Sequence, residues 1–260
     1  DFEEAVSVIR EVAETGAEQG ADLILIETMS DTYELKAAVL AAKESSSLPV
    51  FATVIFDEKG KMLTGGTPQT AIALLEGLGV DAVGMNCGLG PVQMKPLAAE
   101  FIKYASVPVI VNPNAGLPRS EGGRTVYDIG PDEFEQAMEE ILDMGISVAG
   151  GCCGTTPGHI RRLNRLRAGR RQKLPQEKQS TVITSYAAAV EIGDDPVIIG
   201  ERINPTGKSK FKQALRDHDL EFILREGISQ QERGAHVLDV NVGLPEIDEP
   251  DRKSTRLNSS

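Results

Sequence analysis

The sequence has 260 residues and a formal net charge of −12, which argues against nucleic acid or an anionic membrane surface as a partner, because both bind clustered positive charge. Hydrophobic residues make up 40% of it and aromatic residues 4%, a composition that favours parallel strands buried on both faces. No apolar run approaches the roughly 20 residues that cross a bilayer, and no signal peptide is visible, so a reduced, cytoplasmic location is expected.

Short apolar runs alternate with helical patterns along residues 1–150. Helices are predicted at 2–19, 31–45, 67–78, 91–105 and 131–144, and strands are predicted to begin at residues 22, 50, 80, 107 and 146. Strands that recur roughly every 30 to 40 residues with a helix between them form repeated strand–helix units. Strict alternation of this kind predicts an α/β fold with a parallel sheet.

Two architectures fit this alternation, the (β/α)8 TIM barrel and the open doubly wound sheet. Each predicted strand ends in polar or glycine-rich residues, and no G-x-G-x-x-G motif follows the first strand. The barrel is therefore favoured. Five units precede the polar segment near residue 168, which predicts a partial barrel without three of its strands. The longest connection, 114–130, is long enough to cover the mouth of the site.

The rest of the chain divides into three parts. A helix over 156–167 runs into a basic, polar stretch, and 168–195 is predicted to be an interdomain linker. Residues 196–250 are predicted to open a second TIM barrel. Its predicted elements are a strand at 197–199, a polar turn at 200–207, a helix at 219–233 and a strand at 237–241. The tail 251–260 has no apolar periodicity and looks unrelated to what precedes it.

The three cysteines of the chain share one kind of position. Cys87, Cys152 and Cys153 follow short apolar strands in glycine-flanked turns, and this end of the strands collects catalytic groups in a parallel barrel. Catalytic zinc takes three protein ligands, with thiolates among those it prefers, and keeps a fourth position open. Two alternatives stay open: buried inert thiols and a redox disulfide between the adjacent pair.

Charge places a further requirement on a three-thiolate site. Three thiolates and one Zn(II) ion carry a net negative charge, which a substrate thiolate would increase, so hydrogen-bond donors are needed nearby. The N–H groups of the turn 150–154 are predicted to supply them, together with those of the helix that starts at Thr155 or Thr156 with Pro157.

Four motifs carry a resemblance to a known family. They are Met85-Asn86-Cys87-Gly88, Gly150-Gly151-Cys152-Cys153-Gly154, the turn GERINPTG from Gly200 to Gly207, and Leu238-Asp239-Val240-Asn241-Val242-Gly243. In these motifs and in their order, the sequence resembles the cobalamin-dependent methionine synthases. The resemblance implies that 1–167 are strands four to eight of a homocysteine-binding barrel, and that 196–250 begin a pterin-binding barrel for methyltetrahydrofolate.

The same resemblance implies a chemistry. Cys87, Cys152 and Cys153 would hold Zn(II), and Glu27 and Asn86 would lie near the substrate amino acid. The homocysteine thiolate would take a methyl group from methylcobalamin to give methionine, and 5-methyltetrahydrofolate would remethylate the cobalamin, which a module outside this sequence binds. The residues implied to face the pterin are Glu201, Asn204, Asp239 and Asn241.

These polar residues also have structural explanations. Glu27 can be a solvated carboxylate at a strand end, and Asn86 can cap its own turn. Asp239 and Asn241 share one face of a strand and can simply line a polar barrel mouth. The histidines lack ligand spacing and are expected at the surface or in packing: His159, His218 and His236.

Other functions fit parts of the pattern. A cobalamin-independent homocysteine S-methyltransferase, with betaine or S-methylmethionine as donor, has the same zinc barrel but needs no pterin barrel. A non-catalytic zinc-thiolate or redox protein fits the adjacent cysteines. An inactive fragment is the third alternative. Without strands one to three, an edge of strand four is exposed, so the isolated polypeptide is expected to be poorly stable and inactive.

Overall fold

The computed structural model describes residues 1–171, 173 and 175–244. The helices are α1 (Phe2–Glu18), α2 (Thr32–Ser45), α3 (Pro68–Gly77), α4 (Pro91–Tyr104), α5 (Pro131–Asp143), α6 (Pro157–Leu166), α7 (Ser209–Arg216) and α8 (Leu220–Glu232). The strands are β1 (Ile24–Met29), β2 (Val50–Val54), β3 (Ala82–Asn86), β4 (Val109–Asn112), β5 (Arg119–Glu121), β6 (Arg124–Val126), β7 (Val148–Ala149), β8 (Thr181–Thr184), β9 (Ala189–Ile192), β10 (Ile199–Ile203) and β11 (Val237–Val240). The chain separates into two compact units, Asp1–Ala189 and Val190–Ser260.

The first unit is built on a five-stranded sheet with the strand order β1-β2-β3-β4-β7. Each neighbouring pair is parallel, and a helix lies between each strand and the next along the chain. The predicted α/β fold with a parallel sheet is confirmed. Within the part of the chain that the structure describes, β1 and β7 stay at the two edges of this sheet and no closed barrel forms.

The middle of the sheet is covered on both faces. Every residue of β3 is buried, which explains why this strand shows no polar–apolar alternation. Helix α2 packs on two sides. Ala37 and Ala41 contact α1 in a cluster with Val6, whereas Leu35 and Val39 belong to the main core.

Side chains mark the helix starts around the sheet. Asp31 accepts hydrogen bonds from the N–H groups of Tyr33 and Glu34, both 2.8 Å long, before α2 begins. Thr156 is the N-cap of α6 and Pro157 its first residue, so the helix start predicted after the cysteine pair is confirmed.

His159 has a packing role, as expected. It is buried, and its Nδ1 accepts a hydrogen bond from the N–H of Thr156 at 3.1 Å. Its Nε2 lies 2.9 Å from the carbonyl oxygen of Ile129. Since Nδ1 is the acceptor, Nε2 carries the proton and donates to that carbonyl. The ring therefore joins the start of α6 to the segment before α5.

The connection 114–130, for which no strand was predicted, contains a hairpin. Strands β5 and β6 pair in the antiparallel direction, and Gly122 and Gly123 between them have φ of 58° and 76°. Two consecutive residues with positive φ are typical of a two-residue hairpin turn, for which Gly-Gly is a favoured sequence. The flanking strands are polar and exposed, so they lack the apolar alternation by which strands are recognised.

The second unit contains the parallel pair β10 and β11 with α7 and α8. The strand predicted at 197–199 is wrong in its bounds, because β10 continues to Ile203 and includes Glu201, which was predicted to lie in a turn. Helix α7 was not predicted, since its buried face is only Phe211, Ala214 and Leu215 among lysines and other polar residues. In the predicted linker 168–195, the structure has the short strands β8 and β9.

Within the described residues, strand β1 is an edge of the main sheet. It pairs on one side only, with β2, and the side chain of Leu25 is 44% exposed. An apolar edge strand of this kind is prone to pair with another chain.

No helix among residues 1–171, 173 and 175–244 is long and apolar enough to cross a bilayer. The tail 251–260, predicted to be unrelated to the rest, lies outside the described residues.

Candidate metal centre

The carboxyl ends of β3 and β7 bring the three cysteines together. Cys87 directly follows β3, and Cys152 and Cys153 lie just beyond β7. The sulfur of Cys153 lies 3.7 Å from that of Cys87 and 3.9 Å from that of Cys152. All three Sγ atoms lie within 4.8 Å of one another. The fold therefore gathers thiols from two separate strands into one cluster.

The arrangement of the sulfurs fits a tetrahedral metal ion. Two sulfurs that each lie about 2.3 Å from one tetrahedral Zn(II) are about 3.8 Å apart, close to the 3.7 Å and 3.9 Å found here. The three cysteines are free, and Cys153 is exposed to solvent. Three thiols with an accessible side are the donor set of an open site, in which a fourth ligand can enter.

Backbone geometry fixes the positions of the cysteines. The N–H of Cys152 donates to the carbonyl oxygen of Pro113 at 2.8 Å, and the N–H of Cys153 donates to Oδ1 of Asn114 at 3.0 Å. Cys87 has a φ of 59°, a left-handed conformation that is uncommon for residues other than glycine. Strained residues of this kind persist only where the surrounding structure imposes them.

The expectation that N–H groups of this turn and of the next helix stabilise the thiolates is wrong for four of these groups. The N–H groups of Cys152 and Cys153 bond to the segment after β4, and that of Thr155 donates to the carbonyl oxygen of Cys152 at 3.2 Å. The N–H of Thr156 donates to His159. The turn uses these four donors to hold its own shape.

Asn86 supplies one side-chain donor. Its side chain is 1% exposed, and its Nδ2 lies 3.8 Å from the sulfur of Cys152. The same amide bonds to Thr28 on β1 and to Thr53 on β2. The residue predicted to lie near the substrate therefore contacts one of the predicted metal ligands.

Tyr127 reaches the cluster from the connection 114–130. Partial burial raises the pKa of its hydroxyl, and a hydrogen bond with Cys153 raises that pKa further. Its ring packs under the cysteine turn: Gly154 has a φ of 78°, and a Cβ at this position would lie 2.4 Å from Cγ of Tyr127. Glycine is thus required at 154, and the long connection contributes a residue to the site.

Burial raises the pKa of the Cys152 thiol to about 11, and the neighbouring Cys87 adds to the increase. A thiol with such a pKa is protonated at neutral pH. Its thiolate form requires a cation close by, because positive charge favours the ionised state of the sulfur. The sulfur positions fit a metal ion, and a cation there would favour the thiolate form of Cys152.

Glu27 lies on β1, and its side chain is exposed. Among the described residues, its carboxylate has no hydrogen-bond or ion-pair partner, so it is available to a ligand. The next residue, Thr28, has a φ of 64° and bonds to Asn86. Glu27 is thus one residue away from the side-chain network that reaches Cys152.

The four predicted pterin residues lie in the second unit. Glu201 lies on β10 and accepts a hydrogen bond from the side chain of Asn204. Asp239 lies on the neighbouring strand β11, and Asn241 follows it, with its N–H donating to the carbonyl oxygen of Ile203 at 2.8 Å. Two adjacent parallel strands therefore carry these polar groups near their carboxyl ends.

Residues 1–166 match the family model described as homocysteine S-methyltransferase. This range includes the whole five-stranded sheet and all three cysteines. The chain belongs to the homocysteine S-methyltransferase family.

Two curated relatives of this chain are methionine synthases. The chain is 37% identical to that of Mycobacterium tuberculosis over 231 residues, which are 86% of this chain and 19% of the relative. It is also 37% identical to that of Mycobacterium leprae over 238 residues, which are 86% of this chain and 20% of the relative. The chain therefore spans about a fifth of the length of these relatives.

A solved structure has a fold similar to that of part of this chain. It is the apo form of the homocysteine methyltransferase MmuM from Escherichia coli, which is 22% identical, with a TM-score of 0.53. The match covers 64% of this chain and 57% of that one.

Four residues around the cysteines were not singled out from the sequence. Thr28, Thr53 and Asn114 bond to Asn86 or to the cysteine turn, and the ring of Tyr127 lies against Gly154. Asn114 had a signal, since it follows the end of a strand in Asn112-Pro113-Asn114. Thr53 had none, because a threonine inside an apolar strand is common.

Proposed function

We propose that the chain is part of a cobalamin-dependent methionine synthase. In this proposal residues 1–167 are the later part of a homocysteine-binding TIM barrel, 168–195 are a linker, and 196–250 begin a pterin-binding TIM barrel. The family membership of residues 1–166 supports the first assignment. A match to methionine synthases over 86% of the chain extends well beyond residue 166. This supports the assignment of 196–250 to a second domain of such an enzyme.

The observation that carries the proposal is the convergence of the three thiols at the ends of β3 and β7. Cys87, Cys152 and Cys153 would hold Zn(II) there. When bound, Zn(II) supplies a positive charge that favours the thiolate form of a thiol in its open position at neutral pH. The exposed side of Cys153 is where a substrate thiol can approach.

The proposed substrate of this site is homocysteine. The exposed carboxylate of Glu27 is suited to its ammonium group, and Asn86 would lie near the bound amino acid. The thiolate sulfur of homocysteine would take the methyl group of methylcobalamin, whose carbon–cobalt bond would break with its electron pair left on the cofactor, and methionine would be the product. No residue of this chain is assigned to cobalamin, whose binding module is proposed to be another part of the full-length protein.

The second unit is proposed to bind 5-methyltetrahydrofolate, which would supply the next methyl group to the cobalamin. Glu201, Asn204, Asp239 and Asn241 offer carboxylate and amide groups near the ends of two adjacent strands. Such groups suit the donor-rich edge of a pterin ring.

A cobalamin-independent homocysteine S-methyltransferase is the second candidate, because the matched family model covers only the first unit. Such an enzyme uses the same zinc barrel without a pterin barrel. The length of the match to methionine synthases favours the cobalamin-dependent enzyme.

The release of a proton on homocysteine binding tests the proposed function. A thiol of pKa about 8.5 is mostly protonated in solution at pH 7, so binding as the thiolate should release about one proton per homocysteine. We expect this result from calorimetry of the zinc-loaded chain in buffers of different ionisation enthalpy. Methionine, which has no ionisable thiol, is the control and should release none. Binding of homocysteine without proton release, or a folded chain that takes up no zinc, would contradict the proposal.

A further inference from the structure

The side-chain amide of Asn86 makes four hydrogen bonds and is buried. Its Oδ1 accepts from the N–H of Thr28 at 2.9 Å and from the hydroxyl of Thr53 at 2.7 Å. Its Nδ2 donates to Oγ1 of Thr28 at 2.6 Å and faces the sulfur of Cys152 at 3.8 Å. An asparagine side chain has two donor hydrogens and one oxygen with two lone pairs. These four partners use all of them.

The orientation of the amide follows from its partners. A backbone N–H can only donate, so the atom 2.9 Å from the nitrogen of Thr28 must be the oxygen of Asn86. The other end, which faces Cys152, is therefore the NH₂ group. An N–H group that donates to a sulfur stabilises the thiolate form of that sulfur, because the hydrogen bond is stronger when the sulfur is ionised.

Thr28 links this network to β1. It has a left-handed backbone with a φ of 64°, and the register of β1 with β2 shifts between Ile26 and Met29. The two hydrogen bonds to Asn86 hold Thr28 in this strained position. One amide thus ties β1 and β2 to the cysteine turn that follows β7.

We propose that Asn86 is a positioning residue, which holds the sulfur of Cys152 through an N–H···S hydrogen bond and anchors it to Thr28 and Thr53, and that it does not bind the substrate amino acid. This inference rests on the proposed function, since it concerns the same metal site. It differs from the role that the family resemblance implies for Asn86. A residue whose donors and acceptors are all used inside the protein has none left for a ligand.

Asn86→Asp tests the proposal with little change in shape. Its carboxylate can still accept from the N–H of Thr28 and from Thr53, but an oxygen replaces the group that donates to Cys152. Residues that orient metal ligands typically contribute about 10- to 100-fold to metal affinity. We expect a loss of that size in Co(II) affinity, measured by competition with a chelator, and a shift of the sulfur-to-cobalt charge-transfer band.

Asn112→Asp is the matched control for the added charge. Asn112 ends the neighbouring strand β4 and pairs with Asn86 in the register of the sheet. Among the described residues, its side chain has no hydrogen bond to a cysteine sulfur. The Asn112→Asp change should therefore lower the Co(II) affinity much less than Asn86→Asp does. Equal losses in the two variants would show that charge alone acts, and would overturn the proposal.

Thiol binding separates a positioning role from a substrate-binding role. Asn86→Asp should change the dissociation constants of L-homocysteine and of propane-1-thiol, which lacks the amino acid group, by the same factor in the Co(II)-loaded chain. If Asn86 bound the amino acid, the change would weaken the binding of homocysteine by about tenfold or more. The binding of propane-1-thiol and the Co(II) affinity would stay unchanged.

Thr53→Val keeps the test decisive if Asn86→Asp does not fold. Thr53 is fully buried, and the change removes only the hydroxyl that donates to Asn86. A several-fold loss of Co(II) affinity is expected, and a folded variant with unchanged affinity would overturn the proposal. A folded parent chain that binds no Co(II) would overturn the proposed function itself. If the parent binds Co(II) and the Asn86→Asp variant binds it with the same affinity, only this inference would be overturned.

Discussion

Cys153→Ser is expected to lower the zinc affinity of the chain by roughly a hundredfold to a thousandfold. Apparent binding energies of about 10 to 16 kcal/mol for structural zinc sites, shared among four ligands, correspond to about 2.5 to 4 kcal/mol per ligand. Serine cannot replace a thiolate at neutral pH. The sulfur of Cys153 lies 3.7 Å from that of Cys87 and 3.9 Å from that of Cys152, so its loss leaves only two thiolates at the site. Competition with a chromophoric chelator measures the change.

Thr155→Ser is the control for this experiment. It lies in the same turn and keeps the hydroxyl that donates to the carbonyl oxygen of Cys152 at 2.7 Å, so zinc affinity should stay within about twofold of the parent. Cys87→Ser and Cys152→Ser should behave like Cys153→Ser. A chain that binds zinc equally well after any one of these three changes would exclude a three-thiolate site and favour inert or redox cysteines.

Gly84→Ala is expected to destabilise the first unit by about 3 kcal/mol or more. Gly84 lies in the middle of β3 and pairs with Ile110 on β4. A Cβ at this position would lie 2.0 Å from the carbonyl oxygen of Ile110 and 2.7 Å from its Cβ. Backbone must move to remove such an overlap, and overpacking of this kind costs about 1 to 3 kcal/mol, occasionally more. Thermal and urea unfolding measure the change.

Gly16→Ala is the matched control. Gly16 lies in α1, and a Cβ there would have nothing within 4 Å outside the backbone of the helix itself. Alanine should stabilise this helix by about 0.5 to 1 kcal/mol. Because Asn86 and Cys87 lie at the end of β3, Gly84→Ala should also weaken zinc binding in the protein that remains folded. An unfolding midpoint equal to that of the parent would show that the two strands are less closely packed than described.

The main sheet of the first unit and the helices between its strands could be predicted because each of these elements leaves a strong local pattern. Continuous apolar runs such as residues 82–85 predict parallel strands in a sheet that is covered on both faces. Thr156 and Pro157 mark a helix start by local chemistry alone. The hairpin of β5 and β6 has no apolar face, and α7 buries only one narrow stripe, so neither could be recognised by periodicity.

The cysteine cluster could be predicted because parallel strands place their carboxyl ends at one edge of the sheet. Its hydrogen-bond partners could not. The hydrogen bonds of Asn86 depend on the left-handed backbone of Thr28. Nothing in the sequence predicts this conformation, because it is uncommon for residues other than glycine. The position of Tyr127 against Gly154 depends on where the connection 114–130 lies in the folded chain. Long-range geometry of this kind is a property of the packed chain.

The number of sulfurs around zinc tests the central claim of an open three-thiolate site most directly. X-ray absorption of the zinc-loaded chain should show three sulfurs at about 2.3 Å and one lighter atom, and addition of L-homocysteine should change this to four sulfurs. Asn86→Asp should keep three sulfurs before homocysteine is added. Two or fewer sulfurs in the loaded chain, or three sulfurs both before and after homocysteine, would contradict the account.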